Sequence, residues 1–264
     1  MELSDYIQYI LLFAILLLSL YFLVTYFSKL YTRKKIVNVL REASELQKTG
    51  DINGAIGILE ENLKNFSFSD PVFSSYISFL IANGRYEKGK GILQEMTGNK
   101  QEEFASVNML GYISTIEEKF DDAELYYKKA LALDPTKKKA IYTNLAVIYA
   151  EQGKNLEEAV SMLSEVLAVE DGSNKYPVYV NLGYTYYKLQ DYEKAVINEK
   201  IGLELIPKGE TFDSIRAFAH YILGLAHMHE GRKGEAKADL LIAQQLVKNS
   251  KFREKIQKGL NELS

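Results

Sequence analysis

Cysteine and tryptophan are both absent from this chain of 264 residues, and proline occurs only 4 times. Without thiols there can be no disulfides, no thiolate metal site and no cysteine nucleophile. The lack of thiols selects no compartment, because such a protein suits reducing and oxidising spaces equally. An excess of charge of one sign is also missing: 32 Lys and Arg stand against 35 Asp and Glu, a formal net of −3. That balance gives no electrostatic reason to expect nucleic acid. Tyrosine is abundant and glycine recurs at intervals, so the chain is expected to be helical throughout.

Residues 6–28 contain no charged side chain and are dominated by Leu, Ile, Phe, Val and Tyr. As a helix they would measure roughly 34 Å, slightly more than a bilayer's hydrocarbon core. A cleaved signal peptide would instead have a positive start and a shorter apolar run, whereas this N-terminus carries Glu2 and Asp5. The pattern therefore predicts an uncleaved single-pass transmembrane helix at 6–28, after a short extracytoplasmic tail at 1–5. A basic juxtamembrane segment at 29–35 would place Lys29, Arg33, Lys34 and Lys35 at the membrane interface. Cation bias then puts Met1 outside and the rest in the cytoplasm.

The remainder repeats itself. "GDINGAIGIL" (50–59), "GRYEKGKGIL" (84–93), "EKFDDAELYY" (118–127), "GKNLEEAVSML" (153–163), "QDYEKAVINE" (190–199) and "GRKGEAKADL" (231–240) align on one small residue. It falls at Ala55, Gly89, Ala123, Ala159, Ala195 and Ala236, at a period of about 34 residues with small insertions. A second small residue lies about twelve positions upstream, at Ala43, Gly111, Ala146, Gly183 and Gly224, with Ile77 as the exception. Small residues on both helices of a hairpin allow close approach, so each unit reads as helix, short turn, helix.

The segments 106–135 and 178–207 resemble the tetratricopeptide repeat closely. The Leu-Gly pairs at 110–111, 182–183 and 223–224 lie where that family places them, as do Tyr86, Phe120, Leu156 and Tyr192 before the second helix. Pro135 and Pro207 close their units in the same manner. Tryptophan is missing, and Lys233 replaces the turn aromatic in the last unit. The expected fold is all-α: a right-handed α-solenoid of six units at about 36–69, 70–103, 104–138, 139–175, 176–216 and 217–250. Residues 251–264, with Phe252, Ile256, Leu260 and Leu263 at helical spacing, are expected to form a capping helix.

The resemblance implies that partner segments lie along the concave wall formed by the first helices. The candidate groove residues are Asn108, Tyr112 and Ile116, then Thr143, Asn144 and Val147. Further along come Val180, Asn181, Tyr184 and Tyr187, followed by Tyr221, Leu225 and Met228. Rings supply apolar area at low entropic cost, and amides can pair with a peptide backbone. Family members that hold acidic chaperone tails use paired cations on successive first helices. Here Asn144 and Asn181 sit at clamp-like positions, but Pro177, Thr143, Val147, Phe218 and Ile222 stand where the cations would be.

His220, His227 and His229 share one helix at spacings unsuited to zinc, and His220 and His227 occupy core positions of the repeat. No cofactor, metal, catalytic constellation or small-molecule substrate is expected. The irregular connections at 170–177 and 207–214 lie beside the best groove residues, either as plain surface loops or as recognition elements. The overall plan resembles bacterial N-anchored tetratricopeptide proteins that regulate cell-envelope assembly, although those with a rubredoxin-like module need four cysteines. Function is thus expected to be that of a membrane-anchored scaffold for protein partners. The alternatives are a structural subunit of a secretion or motility machine, and an organellar outer-membrane receptor.

Overall fold

The structure, a computed structural model, describes Tyr26 and residues 31–63, 71–96, 100–247 and 250–263. All regular secondary structure among the described residues is helical. One expectation is overturned: no helix among the described residues is long and apolar enough to cross a membrane. The helix through residues 31–49, α1, is amphipathic, burying Ile36, Val39 and Ala43 on one face while Arg33, Lys34, Arg41 and Glu42 stay exposed. A charged outer face is that of a surface helix packed on its repeat. The single-pass membrane assignment and its sidedness are therefore withdrawn, and with them the interface role of Arg33, Lys34 and Lys35. The tail at 1–5, the stretch 6–28 apart from Tyr26, and Lys29 lie outside the described residues.

The chain divides into two compact units, Met1–Thr97 and Gly98–Ser264. In the first, α1 is followed by α2 (Ile52–Leu63), α3 (Pro71–Ala82) and α4 (Tyr86–Gln94). α2 buries Ala55, Ile56 and Leu59, and α3 buries Phe73, Tyr76, Ile77 and Leu80 at the 3–4 residue spacing of a packed helix face. The Tyr76 hydroxyl donates to the Glu60 carboxylate, which also pairs with Lys88, so one carboxylate links α2, α3 and α4.

The second unit runs α5 (Lys100–Ile116), α6 (Phe120–Leu133), α7 (Lys138–Gln152), α8 (Leu156–Val169), α9 (Tyr176–Lys188) and α10 (Tyr192–Leu205). It continues through α11 (Asp213–His229), α12 (Lys233–Leu246) and α13 (Ser250–Glu262). Consecutive helices pack on one another, and α9 also touches α7 and α11. The first helices of successive hairpins thus form one layer.

Two local features make the hairpins. The first is the turn: the opening residue of every aligned segment has positive φ, at Gly50, Gly84, Glu118, Gly153, Gln190 and Gly231. This left-handed step ends one helix and redirects the chain into the next, and glycine adopts it without the cost of a Cβ clash. The second is the contact between helices. Cβ atoms added at Gly111, Gly183 and Gly224 would lie 2.8 Å from Tyr127, 2.6 Å from Glu199 and 2.7 Å from Leu240. Each glycine therefore receives the large side chain that closes the facing segment.

Those closing side chains are Leu59, Leu93, Tyr127, Leu163, Glu199 and Leu240, and all are buried. Five are apolar or aromatic, which the hydrophobic effect favours at this station. The sixth is a carboxyl group. Glu199 is fully buried, and neither of its oxygens has a hydrogen-bond partner among the described residues.

Candidate functional site

The second unit holds a cleft of about 610 Å³ lined by α9, α11 and α13, with Glu151 at its margin. Helical spacing produces the wall: Tyr184 and Lys188 lie one turn apart on α9, as do Phe218, Ile222 and Leu225 in sequence on α11. Phe252 of α13 completes it.

The rings form a connected set. Tyr184 meets Phe218 edge-on with centroids 5.2 Å apart, and Tyr221 meets Phe252 edge-on at 5.2 Å. Phe218 and Phe252 lie 6.3 Å apart, joining the two pairs. Edge-to-face geometry places the positive rim of one ring on the negative face of the next and fixes the wall's shape. Tyr187 is held from behind by Tyr192 and His229, whose own rings stack at 4.5 Å.

Burial raises the Tyr184, Tyr187 and Tyr221 hydroxyls above the ordinary tyrosine value, with the Glu151 carboxylate adding to the effect at Tyr184. The three phenols are therefore neutral hydrogen-bond donors at neutral pH. The Lys188 ammonium sits 5.5 Å from the centre of the Tyr184 ring, where the ring's quadrupole attracts it.

The groove candidates divide into four groups. Tyr184, Tyr187, Tyr221 and Leu225 come together in the cleft. Thr143 and Asn144 line a separate cavity of about 410 Å³, whose rim includes Glu170 and Asn174 from the irregular 170–177 connection. Tyr112 and Ile116 lie exposed on α5, Val147 and Asn181 are half-buried, and the buried Asn108 Oδ1 has no hydrogen-bond partner among the described residues.

Two candidates stand apart from any groove. Val180 is 1% exposed and packs with Ile206 and Ala219, its Cγ2 filling the space that Gly202 leaves. It serves the contact between hairpins and does not reach the cleft. Met228 packs with the cluster of Ala217, Leu240, Ala243 and Ile256 beneath α13.

The other irregular connection, 207–214, is braced. Arg216 donates to the carbonyl of Pro207 at 2.8 Å and to that of Gly209, and pairs with Asp213 at 2.6 Å. His220 and His227 also have a structural task. Their Nδ1 atoms lie 2.9 and 3.0 Å from separate oxygens of Asp239, binding α11 to α12. A carboxylate only accepts, so both Nδ1 atoms carry the proton. Among the described residues no group of His, Asp or Glu could hold a metal ion.

Sequence reasoning missed the contribution of α13. Phe252, Lys255 and Lys258 face the cleft, and Lys251 reaches Glu118 at the α5–α6 turn at 3.1 Å. The signal was present: Phe252, Lys255 and Lys258 recur every third residue on a helix expected only to cap.

Two family models match this part of the chain, at residues 115–176 and 176–198. Both describe the tetratricopeptide repeat. Solved structures extend the tetratricopeptide likeness to most of the chain. The structure of the APC/C hetero-tetramer Cut9–Hcn1 matches with a TM-score of 0.63 and 15% identity over 86% of this chain. This chain spans 42% of that one. The apo quorum sensor NprR from B. thuringiensis gives 0.62 at 15% identity, covering 88% of this chain and 70% of its own. A tetratricopeptide repeat protein from Parabacteroides merdae gives 0.51 at 12% identity, covering 86% and 98%. At these identities the likeness is one of fold. No curated protein matches the sequence.

Proposed function

We propose that the chain is a non-catalytic scaffold that holds a segment of a partner protein in the cleft between α9, α11 and α13. The observation that carries this reading is the set of edge-packed rings on successive first helices, which leaves a shaped apolar surface with neutral phenol donors at its rim. Its volume lies in the range of about 300–1,000 Å³ over which clefts enclose a ligand, enough for a few side chains of an extended segment. Tetratricopeptide proteins are generally interaction scaffolds without catalytic activity, which supports the same role.

A second reading, a structural subunit of a larger assembly, draws on Leu125 and Ile197, which are 67% and 49% exposed on α6 and α10. Exposed apolar residues of this kind suit a protein contact when they form a patch. Site-specific photocrosslinking in cells separates the two. A photoreactive residue at Tyr187 or Tyr221 is expected to give one discrete adduct, whereas one at Leu125 or Ile197 gives none. Adducts confined to Leu125 and Ile197 would transfer the partner to the other face and overturn the cleft reading.

A further inference from the structure

The chain carries a net charge of −3, yet its aromatic cleft is lined by three lysines and one glutamate. Lys188 comes from α9, while Lys255 and Lys258 come from α13 on the opposite side of the rings. Glu151 is turned toward the Tyr184 hydroxyl, and Glu262 lies near Tyr187 and Tyr221. Glu118, which also acts on Lys255, is paired with Lys251. Lys251 and Glu118 offset each other, which leaves Lys188, Lys255 and Lys258 against Glu151 and Glu262, an excess of one ammonium group at the mouth of the cleft.

We infer that the segment held in the cleft is acidic, with carboxylates flanking an aromatic or aliphatic anchor that sits among Tyr184, Phe218, Tyr221 and Phe252. The inference rests on the cleft reading above and adds the chemistry of the partner. Lys255 and Lys258 stand three residues apart, roughly 4.5 Å along α13, so neighbouring carboxylates on one extended segment can each meet a different ammonium. Lys188, already positioned over the Tyr184 ring, meets the segment from the α9 side. Exposed lysines contribute most to encounter rate and to the choice between partners, while the rings hold the anchor. A basic segment would set like charges against Lys188, Lys255 and Lys258, which selects against it. This arrangement differs from a clamp built on successive first helices, because two of its three cations belong to α13.

Selection of a random peptide library of about ten residues per member against the full chain tests the inference. Clones that lose binding to a Tyr187→Ala, Tyr221→Ala variant define the cleft binders. Circular dichroism must first show that this variant keeps its helicity. The expected cleft binders are enriched in Asp and Glu around one Phe, Tyr, Leu or Ile. A labelled peptide from that set should bind about tenfold more weakly to a Lys255→Gln, Lys258→Gln variant, and more weakly as salt rises. Replacing its carboxylates with amides should give a similar loss. Cleft binders that are neutral or basic, or whose affinity ignores the lysine substitutions, would overturn the acidic partner while leaving the cleft as the binding site. A library yielding no clone sensitive to Tyr187 and Tyr221 would remove the cleft reading itself.

Discussion

The α5–α6 and α9–α10 hairpins are built on the same plan and differ at its centre. Gly111 receives the ring of Tyr127, and Gly183 receives the carboxyl of Glu199. Both side chains are almost wholly enclosed, and burial pushes the Tyr127 hydroxyl up to about 12 and the Glu199 carboxyl well above its ordinary value of 4.5. For the tyrosine this changes nothing, since phenols are already neutral at physiological pH. For the glutamate it fixes the protonation state, because complete burial disfavours the charged form and no hydrogen-bond donor among the described residues offsets it. The α9–α10 hairpin therefore tolerates a carboxyl at the packing station on condition that the group stays neutral.

The largest test of this contrast removes the ring. Tyr127→Ala should leave a cavity against Gly111 and lower unfolding free energy by about 3–5 kcal/mol, read from denaturant titration. Glu199→Met keeps the volume, removes the polar atoms and should raise stability by about 1–3 kcal/mol at neutral pH. Its pH dependence supplies the sharper evidence. A carboxyl with a raised folded pKa keeps its proton in the native state while the unfolded chain releases it. The wild-type hairpin is thus most stable below about 4.5 and loses stability as pH rises toward the raised folded value, a loss the Met variant avoids. A Met-minus-wild-type difference that stays flat between about pH 5 and 8 would break the contrast.

The smallest effect concerns the turns. Gln190 and Glu118 hold the left-handed conformation that Gly50, Gly84 and Gly231 adopt freely. Gln190→Gly should stabilise the α9–α10 hairpin by about 0.5 kcal/mol, the relief of strain outweighing the added freedom of the unfolded chain. A destabilised Gln190→Gly would show that the side chain contributes more than its backbone strain costs.

Most of this plan was legible in the sequence because it rests on a repeated spacing. The aligned segments begin on the left-handed turn residue, carry the small residue of the second helix and end on the closing side chain. Spacing reports which residues share a helix face, and it does so without knowledge of partners. Glu199 stood at the end of "QDYEKAVINE", opposite Leu59, Leu93, Tyr127 and Leu240, so its anomaly was visible in the same alignment. The cleft was half legible. Tyr184, Tyr187, Tyr221 and Leu225 follow from helix phase, whereas Val180 packs against α10 of its own hairpin because Gly202 leaves it room. Lys255 and Lys258 depend on where α13 docks, and a single helix's periodicity cannot specify its neighbour. Length and apolarity suggested a membrane span, but no helix among the described residues is long and apolar enough to be one.

The assembly of the cleft also has an order in time. Chains emerge from the ribosome in sequence and domains begin to fold as they do. α9 and α11 therefore present Tyr184, Phe218 and Tyr221 before α13 is available to bring Phe252, Lys255 and Lys258. The ion pair between Lys251 and Glu118 joins residues far apart in sequence, so it closes late. Until then the nascent repeats expose these rings with Lys188 alone of the three cleft lysines in place. On the acidic-partner proposal, selectivity is completed only once α13 docks, and a nascent intermediate would be sticky before it is specific.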